Sequence, residues 1–176
     1  MQGSPSNQQA QEYKRAFLIR AKDLKEMSRR KSRASPGDIF AVPLDADGAA
    51  YGYVRTYNDP DISIIPIISE GRILCMEEIT SFRSFLDAFS LRTSIKSGAW
   101  PLVGNAPFND PEAAWPPPMK QVSRIRPDVR LVVFKGHFIP EEKFGRYDDL
   151  PEFLKLKDGD VVELIVSNRR AFKRIS

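Results

Sequence analysis

Residues 36–57 read PGDIFAVPLDADGAAYGYVRTY, and this stretch decides how the chain folds. Ile39 and Val42 stand among Phe40, Ala41 and Leu44, an apolar run that predicts a strand buried on more than one side. Asp45-Ala46-Asp47-Gly48 supplies the turn: the aspartates bond local backbone and Gly48 is free to adopt positive φ. Tyr51, Tyr53, Val54 and Tyr57 then form an aromatic and β-branched strand suited to a pleated surface. Two strands do not stand alone in water, so the hairpin opens a larger sheet and marks where the folded body begins.

Downstream the strand signals continue. Residues 58–61 (NDPD) are a turn, and residues 62–68 (ISIIPII) a third strand in which Pro66 implies an edge position or a bulge. Residues 72–76 are expected as a fourth strand. Ile79, Phe82, Leu86 and Phe89 recur at three- and four-residue spacing and predict a short helix capped by Thr80 or Ser81, packed across the sheet. Trp100 begins a strand that leads into a proline-rich loop over residues 105–118. There Trp115 either tucks onto the body or, with Pro116 to Pro118, offers a polyproline segment to a partner. Residues 131–136 read as a buried strand, 150–154 as a single helical turn, and 161–166 as a terminal strand after an Asp158-Gly159-Asp160 turn. The resulting expectation is an α+β fold: a strongly bent, largely antiparallel sheet, open to partial closure as a small barrel, with one or two packed helices.

The charge is unevenly placed. The 176 residues carry a formal net charge of +4, yet residues 1–36 hold nine Lys or Arg against three acids. Residues 37–176 hold 18 basic and 20 acidic side chains, a net of −2. Two parts follow: a basic N-terminal segment, residues 1–36, with a disordered start and then a helix over about residues 10–30, and a single α+β domain over 37–176. A mean hydropathy of −0.37, no apolar run of membrane-spanning length and a single cysteine argue for a cytoplasmic protein outside the membrane.

Residues 37–44, GDIFAVPL, followed by residues 50–57, AYGYVRTY, resemble the opening motif of the immunity protein 26 family, a G-D-x-F-A-x-P-L strand leading into a Y-G-Y/R-V strand. Residues 98–105, GAWPLVGN, are similar to that family's W-x-x-x-G element. The basic N-terminal segment and the proline run at 115–118 depart from the pattern. The resemblance implies a cytoplasmic protein that binds and neutralises a toxin domain in bacterial competition, in a contact-dependent or polymorphic toxin system.

The residues themselves offer little for catalysis. His137 is the only histidine and reads as a satisfied residue at a strand end; Cys75 reads as a small buried apolar side chain. Zinc lacks its four ligands, no phosphate-cradling glycine loop occurs, and no cofactor is implied. The expectation is a binding protein rather than an enzyme. If the toxin is a nuclease, its cationic site would be met by acids, and the candidates are Asp45, Asp47, Asp59, Asp61, Glu141, Glu142, Asp148, Asp149 and Glu152. Tyr51, Tyr53, Trp100 and Trp115 are candidate anchors, with core packing the favoured reading for Tyr53 and Trp100. The alternative is a small nucleic-acid-binding module that uses the basic segment at residues 14–33, a reading the acidic body opposes. A further option pairs His137 with a carboxylate or with Cys75 in an unfamiliar enzyme.

Overall fold

A computed structural model describes residues 34–123 and 125–176. Residues 1–33 of the basic segment, with the helix expected over about residues 10–30, lie outside the described residues. Among the described residues ten strands make two sheets. In the first, β1 (Asp38–Pro43), β2 (Ala50–Thr56), β3 (Asp61–Glu70), β4 (Leu86–Ser90), β5 (Leu102–Asn105) and β9 (Lys155–Leu156) run in the order β5-β1-β2-β3-β4-β9. A seventh strand, β10 (Lys173–Ile175), also pairs with β3. The second sheet has the order β6 (Met119–Gln121), β7 (Leu131–Phe134), β8 (His137–Pro140). The first sheet is mixed and mostly antiparallel, since only the β4–β9 and β3–β10 pairs are parallel. Its end strands β5 and β9 do not pair with each other, so it stays open rather than closing as a barrel.

The opening hairpin forms as the apolar pattern requires. Side chains alternate across a strand, so Ile39 and Ala41 of β1 join one core while Phe40 and Val42 join the other. Both faces are therefore covered, which explains the unbroken apolar run. Gly48 turns the chain at φ 65°. Tyr53 is fully buried; its hydroxyl shares a 2.7 Å hydrogen bond with Ser69 and accepts one of 2.9 Å from the Leu74 amide. Trp100 is buried in the Phe40 core.

Pro66 is accommodated by a bulge in a central strand, not by an edge. Tyr53 faces Ile65 and Gly52 faces Ile68, so Pro66 and Ile67 are inserted without changing which face the later residues point to. The opposite edge of β3 is divided at that point: residues 61–64 pair with β4 and residues 67–69 with β10. The missing N–H of Pro66 falls at the division.

Several expectations are corrected. Residues 161–166 belong to helix α2 (Asp158–Ser167), not a strand. Val161 and Ile165, four apart, are its fully buried pair, and the Lys157 amide donates to Asp160 Oδ2 at 2.8 Å across the first turn. The Asp-Gly-Asp sequence is a helix start rather than a hairpin turn, because the Phe40–Val42 face of the sheet needs a cover. Gly52 lets α2 come close: an added Cβ would lie 2.8 Å from Ile165 Cδ1. The stripe at 79–89 is not a helix. Ile79 and Phe82 pack beneath the Tyr53 face, whereas Leu86 opens β4 and sits against the opposite core. The backbone here pairs with the free edge of β3 instead of closing on itself, and residues 72–76 form no strand. Residues 150–154 are extended, the helical turn lying one step earlier at Tyr147–Asp149. The first helix in the described chain, α1, is only five residues (Thr93–Ser97).

Candidate functional site

The sheet distributes the nine acids over separate regions. Asp45 and Asp47 are exposed in the β1–β2 turn, where Asp45 Oδ1 accepts a 2.7 Å bond from the Ala49 amide. Asp59 and Asp61 occupy the β2–β3 connection at the other end of β2, roughly 20 Å away at about 3.3 Å per residue. Glu141, Glu142, Asp148, Asp149 and Glu152 follow β8, and three of these are already paired. Arg130 reaches Glu141 at 2.7 Å and Asp148 at 2.5 Å while its guanidinium lies over the Tyr147 ring; Arg146 reaches Asp149 at 3.2 Å. Glu142 and Glu152 are exposed and form no ion pair among the described residues. The structure thus brings Glu141 and Asp148 together through one arginine, and separates the hairpin-turn pair from the Asp59 end.

Asp61 is a special case, for its side chain is buried (4% exposed) and so is removed from any partner. It belongs to a polar knot that closes the β2–β3 connection. Arg92, itself 7% exposed, enters α1 in a left-handed conformation at φ 55°. Its Nη2 donates toward the backbone carbonyls of Tyr57 (3.0 Å), Asp59 and Asp61. Burial pushes the Asp61 carboxyl up to about 6, with Asp59 and Asp87 adding repulsion and Arg92 opposing them. Burial likewise lowers the Arg92 guanidinium to about 10, well above neutrality.

A stability prediction follows from this shift. The folded chain holds the Asp61 proton up to pH 6, whereas the unfolded chain releases it near 3.8. The penalty is therefore absent below the lower value and complete above the upper one. Asp61→Asn is expected to be more stable than the parent by about 1–2 kcal/mol at pH 7, the partial solvent access having been discounted. That difference should vanish towards pH 4. Urea unfolding across this range checks it, and parallel curves for the two proteins would rule the idea out.

Cys75 is exposed, contrary to the expectation of burial, because residues 72–76 leave the sheet. Its thiol donates to Glu78 Oε2 at 3.2 Å, and the neighbouring Glu77 and Glu78 carboxylates raise its pKa, which disfavours the thiolate. His137 is exposed at the start of β8 in the second sheet, whereas Cys75 flanks the 3-10 turn Met76–Glu78 that follows the first sheet's β3. Among the described residues no group of three His, Cys, Asp or Glu is placed to hold a metal ion.

The feature missed by sequence reasoning is a groove of ≈ 660 Å³ whose lining includes Arg55, Met76, Phe82, Pro107, Phe108 and Asp110. Arg55 projects from β2, with its guanidinium carbon 3.6 Å from the Phe108 ring centre and 5.3 Å from that of Phe82. Its Nη2 donates to the Ala106 carbonyl at 2.5 Å, while its Nε is buried and has no hydrogen-bond partner. Desolvation lowers the pKa of this guanidinium. Two glycines shape the groove. An added Cβ on Gly104 would lie 2.4 Å from Met76 Cγ, and one on Gly37 would lie 2.5 Å from the Ala106 carbonyl oxygen that receives Arg55. Of the expected anchors, Tyr53 and Trp100 are core and Tyr51 and Trp115 half-buried; in the proline run Pro116 is buried, Pro118 half-buried and Pro117 exposed. The glycines stood in the quoted motifs, but nothing local tied them to a phenylalanine more than fifty residues beyond Arg55.

An α+β domain on an open, mixed sheet, covered on both faces and carrying an aromatic groove beside scattered surface acids, is the class that these features define. Its sequence matches the model of the family described as Immunity protein 26 over residues 35–129, more than half of the chain, and the chain belongs to that family. No curated protein and no solved structure shows significant similarity to it. The matched stretch contains β1 to β6 and the whole lining of the groove, and stops before Glu141. No helix among the described residues is long and apolar enough to cross a membrane.

Proposed function

We propose that this chain is an immunity protein that binds a cognate bacterial toxin domain and neutralises it by masking its surface, in a contact-dependent or polymorphic toxin system. The observation that carries the reading is the family match over residues 35–129. The binding role falls to residues 37–176, with residues 1–36 as an appended basic segment, and the complex forms in the cytoplasm. A nuclease is the toxin class that the acids favour. Its phosphate-binding site is cationic, and exposed carboxylates would steer association and occupy that site. Asp45, Asp47, Glu142 and Glu152 are the acids best placed for it, being exposed and held in no ion pair among the described residues. Asp59 and the paired Glu141, Asp148 and Asp149 supply a weaker field, and Asp61 none.

The test is co-expression with the C-terminal domain encoded immediately upstream. The reading expects a stable complex and survival of cells that the domain alone kills. It also expects the quadruple variant D45N/D47N/E142Q/E152Q to associate several-fold more slowly at low salt, with the difference shrinking as salt rises. Absence of both complex and protection would end it. A complex whose association rate ignores salt and these four carboxylates would end the acidic-surface part alone.

A further inference from the structure

We propose that the groove between Arg55, Met76, Phe82 and Phe108 is the anchor site for the toxin domain, taking one of its apolar side chains together with an adjacent carboxylate. The proposal rests on the immunity reading and deepens it by naming where the partner is gripped and by what chemistry.

The argument starts from Arg55. A guanidinium between two phenylalanine rings is well positioned but poorly solvated, and burial already weakens its hold on its proton. Desolvated cations are normally paired. The exposed Arg72, Arg126 and Arg146 and the partly exposed Arg130 have carboxylates within 4 Å, whereas the half-buried Arg55, like the buried Arg92, pairs with none among the described residues. Arg92 is met by three backbone carbonyls and Arg55 by one. Its Nε is buried without an acceptor, as are those of Arg92 and Arg169, so an incoming group meets the partly exposed guanidinium end of Arg55 rather than Nε. Arg55 has one carbonyl acceptor against the three of Arg92, which leaves its open edge complementary to an anion, and the surroundings say what carries it. Met76, Phe82, Ala106, Pro107 and Phe108 make the groove mainly apolar, and its size of ≈ 660 Å³ falls within the range of built binding pockets. A nucleic-acid groove needs a row of Lys and Arg along a phosphate backbone. Here a single cation and one acid, Asp110, line an otherwise mainly apolar cleft, on a body whose net charge is −2. That combination fits a protein segment, with an aliphatic or aromatic side chain seated on the rings and its carboxylate meeting the guanidinium edge. Arginine and aromatics in a desolvated pocket are also the usual carriers of interface affinity.

Two glycines leave room for the groove walls. Gly104 lets Met76 lie against β5, and Gly37 keeps the Ala106 carbonyl where it holds Nη2 of Arg55.

Two measurements on the full-length protein test the proposal. In the first, N-acetyl-Phe-Glu-amide and N-acetyl-Phe-Gln-amide are titrated while the Arg55 Nε–H and backbone amide NMR signals are followed. The glutamate peptide is expected to shift Arg55 Nε–H, Phe82 and Phe108 at millimolar concentration and to bind about 5-fold more tightly than its amide counterpart, as a charge-assisted bond should. Equal shifts from both peptides, or none at the groove, overturn the assignment. So do groove signals that move with protein concentration alone, since a second copy would then be the occupant.

In the second, the upstream-encoded domain is the probe. Arg55→Met and Phe108→Ala are each expected to weaken its binding by about 30-fold or more, with melting temperatures close to the parent. Arg55→Lys, which keeps the charge but loses Nε, replaces Arg55→Met if that variant fails to fold, and is expected to weaken binding as well. A parent chain that binds while these variants bind equally tightly sinks the groove and leaves the immunity reading standing. A parent that does not bind this domain sinks the immunity reading, and the peptide titration then decides the groove on its own.

Discussion

Replacing Arg92 with alanine is expected to destabilise the fold by about 3–5 kcal/mol. Three backbone carbonyls, those of Tyr57, Asp59 and Asp61, depend on the one Nη2, and all belong to the connection that closes β2 onto β3. With the guanidinium gone they are left without that donor in a region where Arg92 is only 7% exposed. The Asp61 carboxyl simultaneously loses the one cation that opposes its burial. The backbone adds nothing to this loss, because alanine at φ 55° is no worse than the arginine it replaces, whereas glycine is better. Arg92→Gly should therefore recover about 1 kcal/mol relative to Arg92→Ala. For a domain of this size the alanine variant should melt some 10 °C or more below the parent. Urea unfolding with an unchanged slope checks the figure. A variant within about 0.5 kcal/mol of the parent would show that the carbonyls are satisfied otherwise.

Gly37→Ala is expected to cost about 3 kcal/mol, and for two separable reasons. Gly37 sits at φ 91°, where a side chain is strained, and its Cβ would lie 2.5 Å from the Ala106 oxygen and 3.0 Å from its carbon. The obstacle is backbone, which cannot rotate aside. The Gly37 amide donates to Thr56 and its carbonyl accepts from Ala106, so the residue is fastened on both sides. Gly71→Ala is the control: φ is 78° there, but nothing lies within 4 Å of the added carbon. It should lose only the backbone share, about 1–2 kcal/mol, leaving a further 1–3 kcal/mol for the clash at Gly37. Equal losses at the two sites would show the clash to be absorbed. Because the Ala106 carbonyl also holds Arg55, Gly37→Ala is expected to weaken the groove along with the fold.

The readable and unreadable parts of this chain differ by the range of the interactions that decide them. The β1–β2 hairpin needed only an apolar run, an Asp-rich turn with Gly48 at positive φ, and an aromatic strand, and it formed over the residues expected. The Ile62–Ile68 strand and the strand at 131–134 were equally local. Residues 161–166, VVELIV, were ambiguous, since a β-branched run suits a buried strand and an amphipathic helix alike. The Asp158 and Asp160 start signal favoured the helix but was read as a turn. The stripe at 79–89 was misread because helical spacing also arises when an irregular segment and a strand contribute to two different cores. Pro66 pointed correctly to a bulge and wrongly to an edge, as the strand that uses the far half of β3 comes from the last residues of the chain.

The candidate site shows the same division. Which acids exist was plain, but not that Arg130 would neutralise two of them, that Asp61 would be buried near Arg92, or that β2 would hold the two turn pairs apart. Composition and the motifs at 37–44, 50–57 and 98–105 were enough to establish an α+β sheet protein and its family. These are matters of side-chain pattern and turn chemistry, which neighbouring residues settle among themselves. The Arg55 groove, the burial of Asp61 and the exposure of Cys75 were left to the folded chain. Each depends on which distant segments come to share a surface, and so on where water and counter-charge are excluded, a property that no local stretch contains.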